Sequence, residues 1–432
     1  MEAEEREAKI RELAEAYAER LRRSWPQGTM NITRLEEISE GVGGETNREL
    51  TEELVREQSA QEPLRETACP DCAGKTRYKG RYAEEVVTVQ GRVRVRRRYY
   101  YCAACQEGSC PLDRAWGLGP ANTTPTVQAR TAVLGVWVPY TRRPEMSRHL
   151  GLAWSVDVKT GELITQRVGT AVRQAPPAGP GAATRPVAVA VDGVFLLTRK
   201  EGWKEARCAV VYEPDEDAGR SPEACAGLRK EYLGGLEDRE TVLERACERV
   251  QARAPAGQPI AALGDGAHWI WDGYARHLPE RVEILDFYHA CQHVAKVAQA
   301  MHPGDPAAAT AWLETQRHEL RHIGPWRLLR ELEGWAPKGK GSKAARKVRA
   351  EASGYFARNR ERMNYPSYAR QGLPIGSGAV EGACKHLITA RFKQAGMRWN
   401  RATAEPLIHL RAAMLSHPEL DLRHYAGAAP VN

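Results

Sequence analysis

The 432-residue chain has no uninterrupted apolar run of about 18 residues, the length a helix needs to cross a bilayer, so no transmembrane segment is expected. Its opening stretch, MEAEEREAKIREL, lacks the cationic start and apolar middle of a secretion signal and reads instead as an acidic helix. A cytoplasmic protein is the expectation. A disulfide framework is missing too. Of ten cysteines, four form two Cys-x-x-Cys pairs, while Cys110, Cys208, Cys225, Cys247, Cys291 and Cys384 are scattered. In a reducing compartment this usage points to metal binding and free thiols. With 42% hydrophobic and 27% charged residues the chain is globular rather than disordered, and its length predicts two to four modules.

Acid is scarce where base is plentiful. Residues 1–66 carry 17 Asp/Glu against 10 Lys/Arg, a net of −7, and the remainder carries 38 against 53, a net of +15. A basic body behind an acidic leader suits a polyanionic partner.

The paired cysteines are Cys69-Pro70-Asp71-Cys72 and Cys102-Ala103-Ala104-Cys105. Between them, two alternating segments (Glu85–Val89 and Arg92–Arg96) flank a Gln90-Gly91 turn, the pattern of a β-hairpin. Two such knuckles bracketing strands predict a zinc ribbon, with four thiolates closing a structural Zn²⁺ site. Zinc coordination contributes about 10–16 kcal/mol to the folding of small modules of this kind. Arg92, Arg94, Arg96, Arg97 and Arg98 on the hairpin either follow a phosphate backbone or protect an edge strand.

Residues 4–23 place Ile10, Leu13, Tyr17 and Leu21 at helical spacing, for packing on a second subunit or on the same chain. A Gly-rich break at 41–45 is expected before a second helical stretch near 48–59. Three apolar segments, 129–138, 146–150 and 160–172, predict a helix-turn-helix-like DNA-binding region, with simple three-helix packing as the alternative. Gln174–Pro186 (QAPPAGPGAATRP) reads as a linker. The modules expected are a helical region (1–66), the zinc ribbon (67–120), the helical DNA-binding region (121–173), the linker, and an α/β domain over 187–425 with an all-helical insertion at about 294–370 that includes a basic stretch at 338–349.

Within that α/β region lie three carboxylates. Asp192 follows the apolar run Pro186–Val191, in a segment (186–199) that reads as a strand pair turning at Asp192-Gly193. Asp265 follows Ile260–Gly264 and precedes Gly266. Glu381 sits inside a helix opened by Gly376-Ser377-Gly378. Two strand aspartates and one helix glutamate suit two-metal phosphoryl chemistry on Mg²⁺ or Mn²⁺. Each also has an ordinary reading: an Asp-Gly turn, or a capping box with Gly378 at the N-cap and Lys385 as an i,i+4 partner. Asp286 ends a further strand, a place from which it can cap the helix that follows, and His289 and His293 at i,i+4 on that helix read otherwise as polar core. His289-x-x-x-His293 lacks the glutamate of a zinc protease.

Several of these segments together resemble bacterial insertion-sequence transposases of the DDE type, the ISKra kind allied to Mutator-like elements. The matching text is Cys69–Cys72 with Tyr101–Cys105, Val189–Gly193, Gly202-Trp203-Lys204-Glu205, Gly264-Asp265-Gly266-Ala267, Asp286-Phe287-Tyr288-His289, Gly376-Ser377-Gly378-Ala379-Val380-Glu381 and Arg391-Phe392-Lys393-Gln394-Ala395-Gly396-Met397-Arg398-Trp399. It spans about residues 65–415. The resemblance implies a ribonuclease H-like catalytic core interrupted by a helical insertion, with Asp192, Asp265 and Glu381 as the acidic triad. It also implies a supporting Asp286/His289 element.

On that reading the expected activity is Mg²⁺-dependent cleavage at element ends followed by strand transfer to target DNA. Terminal repeats and target DNA are the partners, and a homo-oligomer of at least two copies is the working form. Arg391, Lys393 and Arg398 suit phosphates, and Trp399 suits an unpaired base or the core. A DNA-binding regulator with a retained fold, or a nuclease without strand transfer, are the alternatives.

Overall fold

The computed structural model describes residues 3–62, 67–179, 181–215, 228–337 and 342–427. Cys225, residues 338–341 of the basic stretch, and Pro180 of the linker lie outside the described residues. The chain forms two compact units, Met1–Ala171 with Asp421–Asn432 and Val172–Leu420.

The first unit opens with α1 (Ala3–Ser24) and α2 (Ile32–Ala60). Asn31 caps α2 by accepting from the Arg34 amide. The expected break at 41–45 does not occur, and α2 runs straight through Gly41, Gly43 and Gly44. Each glycine costs about 1 kcal/mol in a helix. Packing of α2 on α1 and on β2 (Gly91–Cys102), with Val42 buried and Arg20 paired to Glu49, outweighs that cost. Ile10, Leu13, Tyr17 and Leu21 therefore lie on a helix held by the same chain, although Ile10 and Tyr17 stay exposed.

A three-stranded antiparallel sheet follows, β1 (Thr76–Thr88), β2 and β3 (Glu107–Ser109), in that order. The β1–β2 turn is Val89-Gln90, with Thr88 opposite Gly91 at φ +102°. Along β2, Val93 and Val95 point inward and Arg92, Arg94 and Arg96 outward, the two-residue period of a strand with one wet face. Arg97 keeps the period but puts a charge on the inward face, where it is buried and paired to both Glu84 and Asp113. After α3 (Pro111–Ala115) come α4 (Pro125–Trp137), α5 (Arg143–His149) and α6 (Val158–Gln174). Three helices thus lie over the three apolar segments, and the third reaches the start of the expected linker.

The second unit is built on a five-stranded mixed sheet, ordered β6-β5-β4-β7-β8. Its strands are β4 (Val187–Thr198), β5 (Gly202–Glu213), β6 (Leu228–Gly235), β7 (Ile260–Gly264) and β8 (Val282–Leu285). β5 runs antiparallel to its neighbours, while β4, β7 and β8 are parallel. The strand pair read from 186–199 is one strand. Asp192 pairs with Cys208 and Gly193 with Arg207, so Asp192-Gly193 is mid-strand and the turn comes at 199–201. Ladder bonds to β5 hold the extended backbone there against the turn preference of Asp-Gly.

α7 (Arg239–Arg253) crosses from β6 to β7 and α8 (His268–His277) from β7 to β8. Asp238 caps α7, accepting from the Thr241 amide and hydroxyl. Val242, Leu243, Ala246, Cys247 and Val250 face the sheet, all fully buried. A fully buried Val or Leu is worth about 1.5–3 kcal/mol, so this row alone anchors the crossover. Between β8 and the next helix against the sheet lie only helices among the described residues: α9 (Phe287–Met301), α10 (Pro306–His322), α11 (Trp326–Gly334), α12 (Ser342–Asn359) and α13 (Tyr365–Arg370). Then α14 (Gly378–Ala383), a π-helical turn (Cys384–Thr389), α15 (Ala390–Phe392) and α16 (Arg401–Ser416) return to β4, β5 and β6. The last helix, α17 (Arg423–Ala426), belongs to the first unit and packs on α4, so the residues after 420 leave the α/β domain sooner than expected.

Candidate active site and metal centre

β4 and β7 are parallel and in register from Val187/Ile260 to Ala190/Leu263. Two residues further along each strand direction stand Asp192, in the middle of β4, and Asp265, just past the end of β7, level with each other. Asp192 Oδ1 accepts from the Gly193 amide at 2.7 Å, and Asp265 Oδ1 from the Ala267 amide at 2.8 Å. Burial pushes the Asp192 carboxyl above its usual range, and the charges of Asp265 and Glu205 push the same way. The Gly193 amide and His289 oppose this rise. A half-buried pair of like charges of this sort calls for a counter-charge.

Glu381 is elsewhere in its helix than a capping box requires. Ser377 is the N-cap, with no side-chain capping bond, and Glu381 is the fourth residue of α14. Its carboxylate is mostly exposed and bonds Lys385 Nζ at 2.7 Å. Asp192, Asp265 and Glu381 are not among the described groups whose ligand atoms all lie within 4.8 Å of one another. One helical turn on, however, Cys384 Sγ lies 3.9 Å from Asp192 Oδ2, so α14 ends beside Asp192. The hydrogen bond with Cys208, then burial, raise the Cys384 thiol pKa, keeping it neutral.

The π-turn that begins at Cys384 is held by Arg411, which is buried and donates to the carbonyls of His386 and Leu387 (3.0 Å to the latter). Burial lowers the Arg411 pKa to about 10. Wide turns of this type leave carbonyls without helical donors and recur at functional sites.

Asp286 caps α9 as its position after β8 suggested. It is buried, its Oδ1 accepts from the His289 amide at 2.6 Å, and its Oδ2 accepts from the Ser377 amide at 2.5 Å. One carboxylate therefore ties the start of α9 to the loop that opens α14. His289 Nδ1 lies 3.4 Å from Asp286 Oδ1. That contact, aided by Asp265 and Asp192, raises the His289 pKa against the effect of burial. His293 is different: its ring stacks on Tyr355 at 3.9 Å, and burial lowers its pKa.

Two of the expected DNA contacts are instead core. Trp399 is buried, its ring 4.7 Å from Phe392 and its Nε1 donating to the Phe392 carbonyl at 3.0 Å. Arg391 is buried with its guanidinium 5.0 Å from the Trp399 ring. The short α15 and the strand edge at Leu197, whose carbonyl accepts from the Trp399 amide, fold this segment inward. Lys393 and Arg398 remain exposed and available.

In the first unit, Cys69, Cys72, Cys102 and Cys105 bring four sulfurs within 4.8 Å of one another. The Cys69–Cys105 and Cys72–Cys102 separations are 3.8 and 3.7 Å. A disulfide needs about 2.05 Å. A tetrahedron with Zn–S bonds of about 2.3 Å has edges of about 3.8 Å, so the thiols fit a zinc ion. Both knuckles turn back with the residue after the second cysteine at positive φ, Ala73 at 58° and Gln106 at 59°. Hydrogen bonding from the Cys105 amide is the largest influence lowering the Cys102 thiol to about 7, toward the thiolate that binds metal.

A second compact set, Glu237, Glu405 and His409, had no sequence signal. Its acceptors are already engaged: Glu237 by Arg173 and Arg245, Glu405 by the Leu236 amide and His409. It is an ion-pair network joining α16 to the turn between β6 and α7. Glu205, Cys384, Tyr355 and Arg411 were also unforeseen around the aspartates. Only Cys384 was within reach, since it shares a helix face with Glu381 three residues before it. No protein-family model matches this chain, and no curated protein matches it.

Proposed function

We propose that the chain is a DNA transposase of the DDE type, cutting DNA at element ends and joining the freed 3′ ends to target DNA. The observation that carries this reading is the level placement of Asp192 and Asp265 on adjacent parallel strands, with α14 alongside. Numbered within the domain, the strand order is 3-2-1-4-5 with the second strand antiparallel, which supports a ribonuclease H-like core. The motif resemblance adds the substrate.

Asp192, Asp265 and, after turning from Lys385, Glu381 offer only carboxylate oxygens, the donor set of Mg²⁺ or Mn²⁺. Two such ions, when bound, supply activation of a water or 3′-hydroxyl and stabilise the leaving oxygen. The chain's own part is positioning. Asp286 fixes α9 to the α14 loop, so the glutamate-bearing helix and His289 are set by one buried carboxylate. With His289 Nδ1 directed at Asp286, its Nε2–H is free to donate to a phosphate oxygen. Exposed Lys393, Arg398, Arg92, Arg94 and Arg96 suit the phosphate backbone, and the zinc ribbon with α4–α6 suits the terminal repeat. Concerted cutting of two ends calls for at least two copies.

The deciding experiment incubates protein with a labelled element end and Mn²⁺. Asp192→Asn should bind the end as the parent does and neither nick nor join it. Full cleavage by that variant refutes the assignment. Binding without nicking by the parent favours a regulator, and nicking without joined products a nuclease.

A further inference from the structure

The β4–β5 hairpin outruns its sheet. β7 pairs only with Val187–Ala190 and β6 only with residues from Arg207 onward, so 193–206 form an arm. One face of the arm is closed: Leu196, Thr198 and Ala206 are buried. The other face carries Phe195 at 53% exposure, with Trp203 at 62%, and then Glu205 and Arg207. The other three phenylalanines, Phe287, Phe356 and Phe392, are all buried, so Phe195 is left out for a reason other than a general shortage of interior.

Toward the domain the same face continues into cations. The Arg207 guanidinium lies 5.3 Å from the Trp269 ring and that of Arg239 5.8 Å from it, so the indole sits within reach of two positive groups. Arg207 pairs with Glu205, whereas Arg239 is exposed and has no acid paired to it among the described residues. A side chain at Gly193 would collide with the Glu205 carboxylate and meet Arg207 at 2.9 Å, so this glycine lets the pair lie flat over the strand. From Trp203 to Arg207 the strand covers about 14 Å at about 3.4 Å per residue. The result is a strip of flat rings and guanidinium groups, with Glu205 paired to Arg207 inside it, on the face of β4 and β5 opposite the Asp192 side chain.

We propose that this strip, Phe195, Trp203, Arg207, Trp269 and Arg239, binds an unpaired nucleic-acid strand. Bases stack on the three rings while phosphates face the two arginines, the combination by which single strands are held without regard to sequence. The proposal rests on the transposase reading for its purpose, since an enzyme that cuts and joins strands must also hold unpaired ones. It does not depend on the carboxylates for its chemistry. A partner protein seated on bare rings alone would leave the Arg239 charge and its approach to Trp269 without a role.

The test uses the full chain and fluorescence anisotropy with a labelled oligothymidine strand and a duplex of equal length. The doubly substituted variant Phe195→Ala, Trp203→Ala should bind the single strand at least about tenfold more weakly, as stacking losses of this kind usually do, with duplex binding changed less than about twofold. Arg239→Ala should also weaken single-strand binding and flatten its dependence on salt by about 0.7 in logarithmic slope. Both aromatic positions are exposed, so folding should be intact by circular dichroism. Unchanged single-strand affinity in the double variant, or no single-strand binding by the parent, overturns the proposal. So does a variant that alters only self-association in sedimentation, which makes the face a protein contact. Asp192→Asn in the same assay should bind like the parent. Cleavage by Asp192→Asn would sink the catalytic assignment while leaving the strip standing, and the reverse pattern would sink the strip alone.

Discussion

The Tyr355 hydroxyl donates to the main-chain carbonyl of Asp265 at 2.8 Å, and its ring edge occupies the space where a side chain at Gly266 would stand. A residue of the helical insertion thus braces the turn that presents a candidate catalytic aspartate. Gly266 has φ +97°, and an added Cβ would come within 2.6 Å of Tyr355 Cε2. Gly266→Ala should therefore cost about 1–3 kcal/mol in urea unfolding, from backbone strain and from displacement of the ring. Tyr355→Phe should cost less, about 1 kcal/mol for one hydrogen bond. Parent-like stability in Gly266→Ala would show that the ring yields freely and braces nothing.

The four thiols of the first unit should bind one zinc ion per chain, measured by elemental analysis of the purified protein. Cys102→Ser removes one of four ligands and should abolish stoichiometric zinc. Chelation of the parent should lower the melting transition of the first unit, because coordination and folding are coupled in small ribbons. The acidic residues of the second unit take no part in this. Zinc retained at full stoichiometry by Cys102→Ser would rule out the tetrahedral site.

Much of the α/β unit was legible because period and punctuation agree there. The β7 and β8 runs end within a residue of expectation, and Asp286 is the cap its place after β8 implied. Misreadings arose where tertiary contacts override local preference. Asp192-Gly193 carries turn chemistry yet is held extended by β5, and Gly41–Gly44 carry breaker chemistry yet stay helical against α1 and β2. β6 was missed since Arg229, Lys230 and Glu231 dilute its apolar pattern at the sheet edge. Trp399 could be either core or platform until its neighbours were known. No local signal could place Tyr355 under Asp265, 90 residues away.

His289 should make stability depend on pH in a defined direction. Its contact with Asp286, helped by Asp265 and Asp192, raises its folded pKa above the unfolded value of about 6.5. The protonated form is thus favoured in the folded state. Its contribution is fully present below the unfolded pKa and is lost as pH rises through the folded pKa. Unfolding of the parent and of His289→Gln should therefore differ most near pH 5.5 and converge by about pH 9. A difference that grows with pH would mean the imidazole is held neutral, and the Asp286 contact would not be an ion pair.

Glu381 offers the sharpest separation of a working carboxylate from a decorative one. Its exposed i,i+4 pair with Lys385 is worth only about 0.3–0.5 kcal/mol, so Glu381→Gln should leave the melting temperature almost unchanged. If α14 swings this carboxylate from Lys385 to the aspartates during the reaction, the same substitution should lower cleavage by at least about a hundredfold. Lys385→Ala frees Glu381 and should keep activity. Equal cleavage by Glu381→Gln and the parent would reduce Glu381 to a surface partner of Lys385. The third carboxylate would then have to be sought at Glu205, whose charge already reaches Asp192 across Gly193.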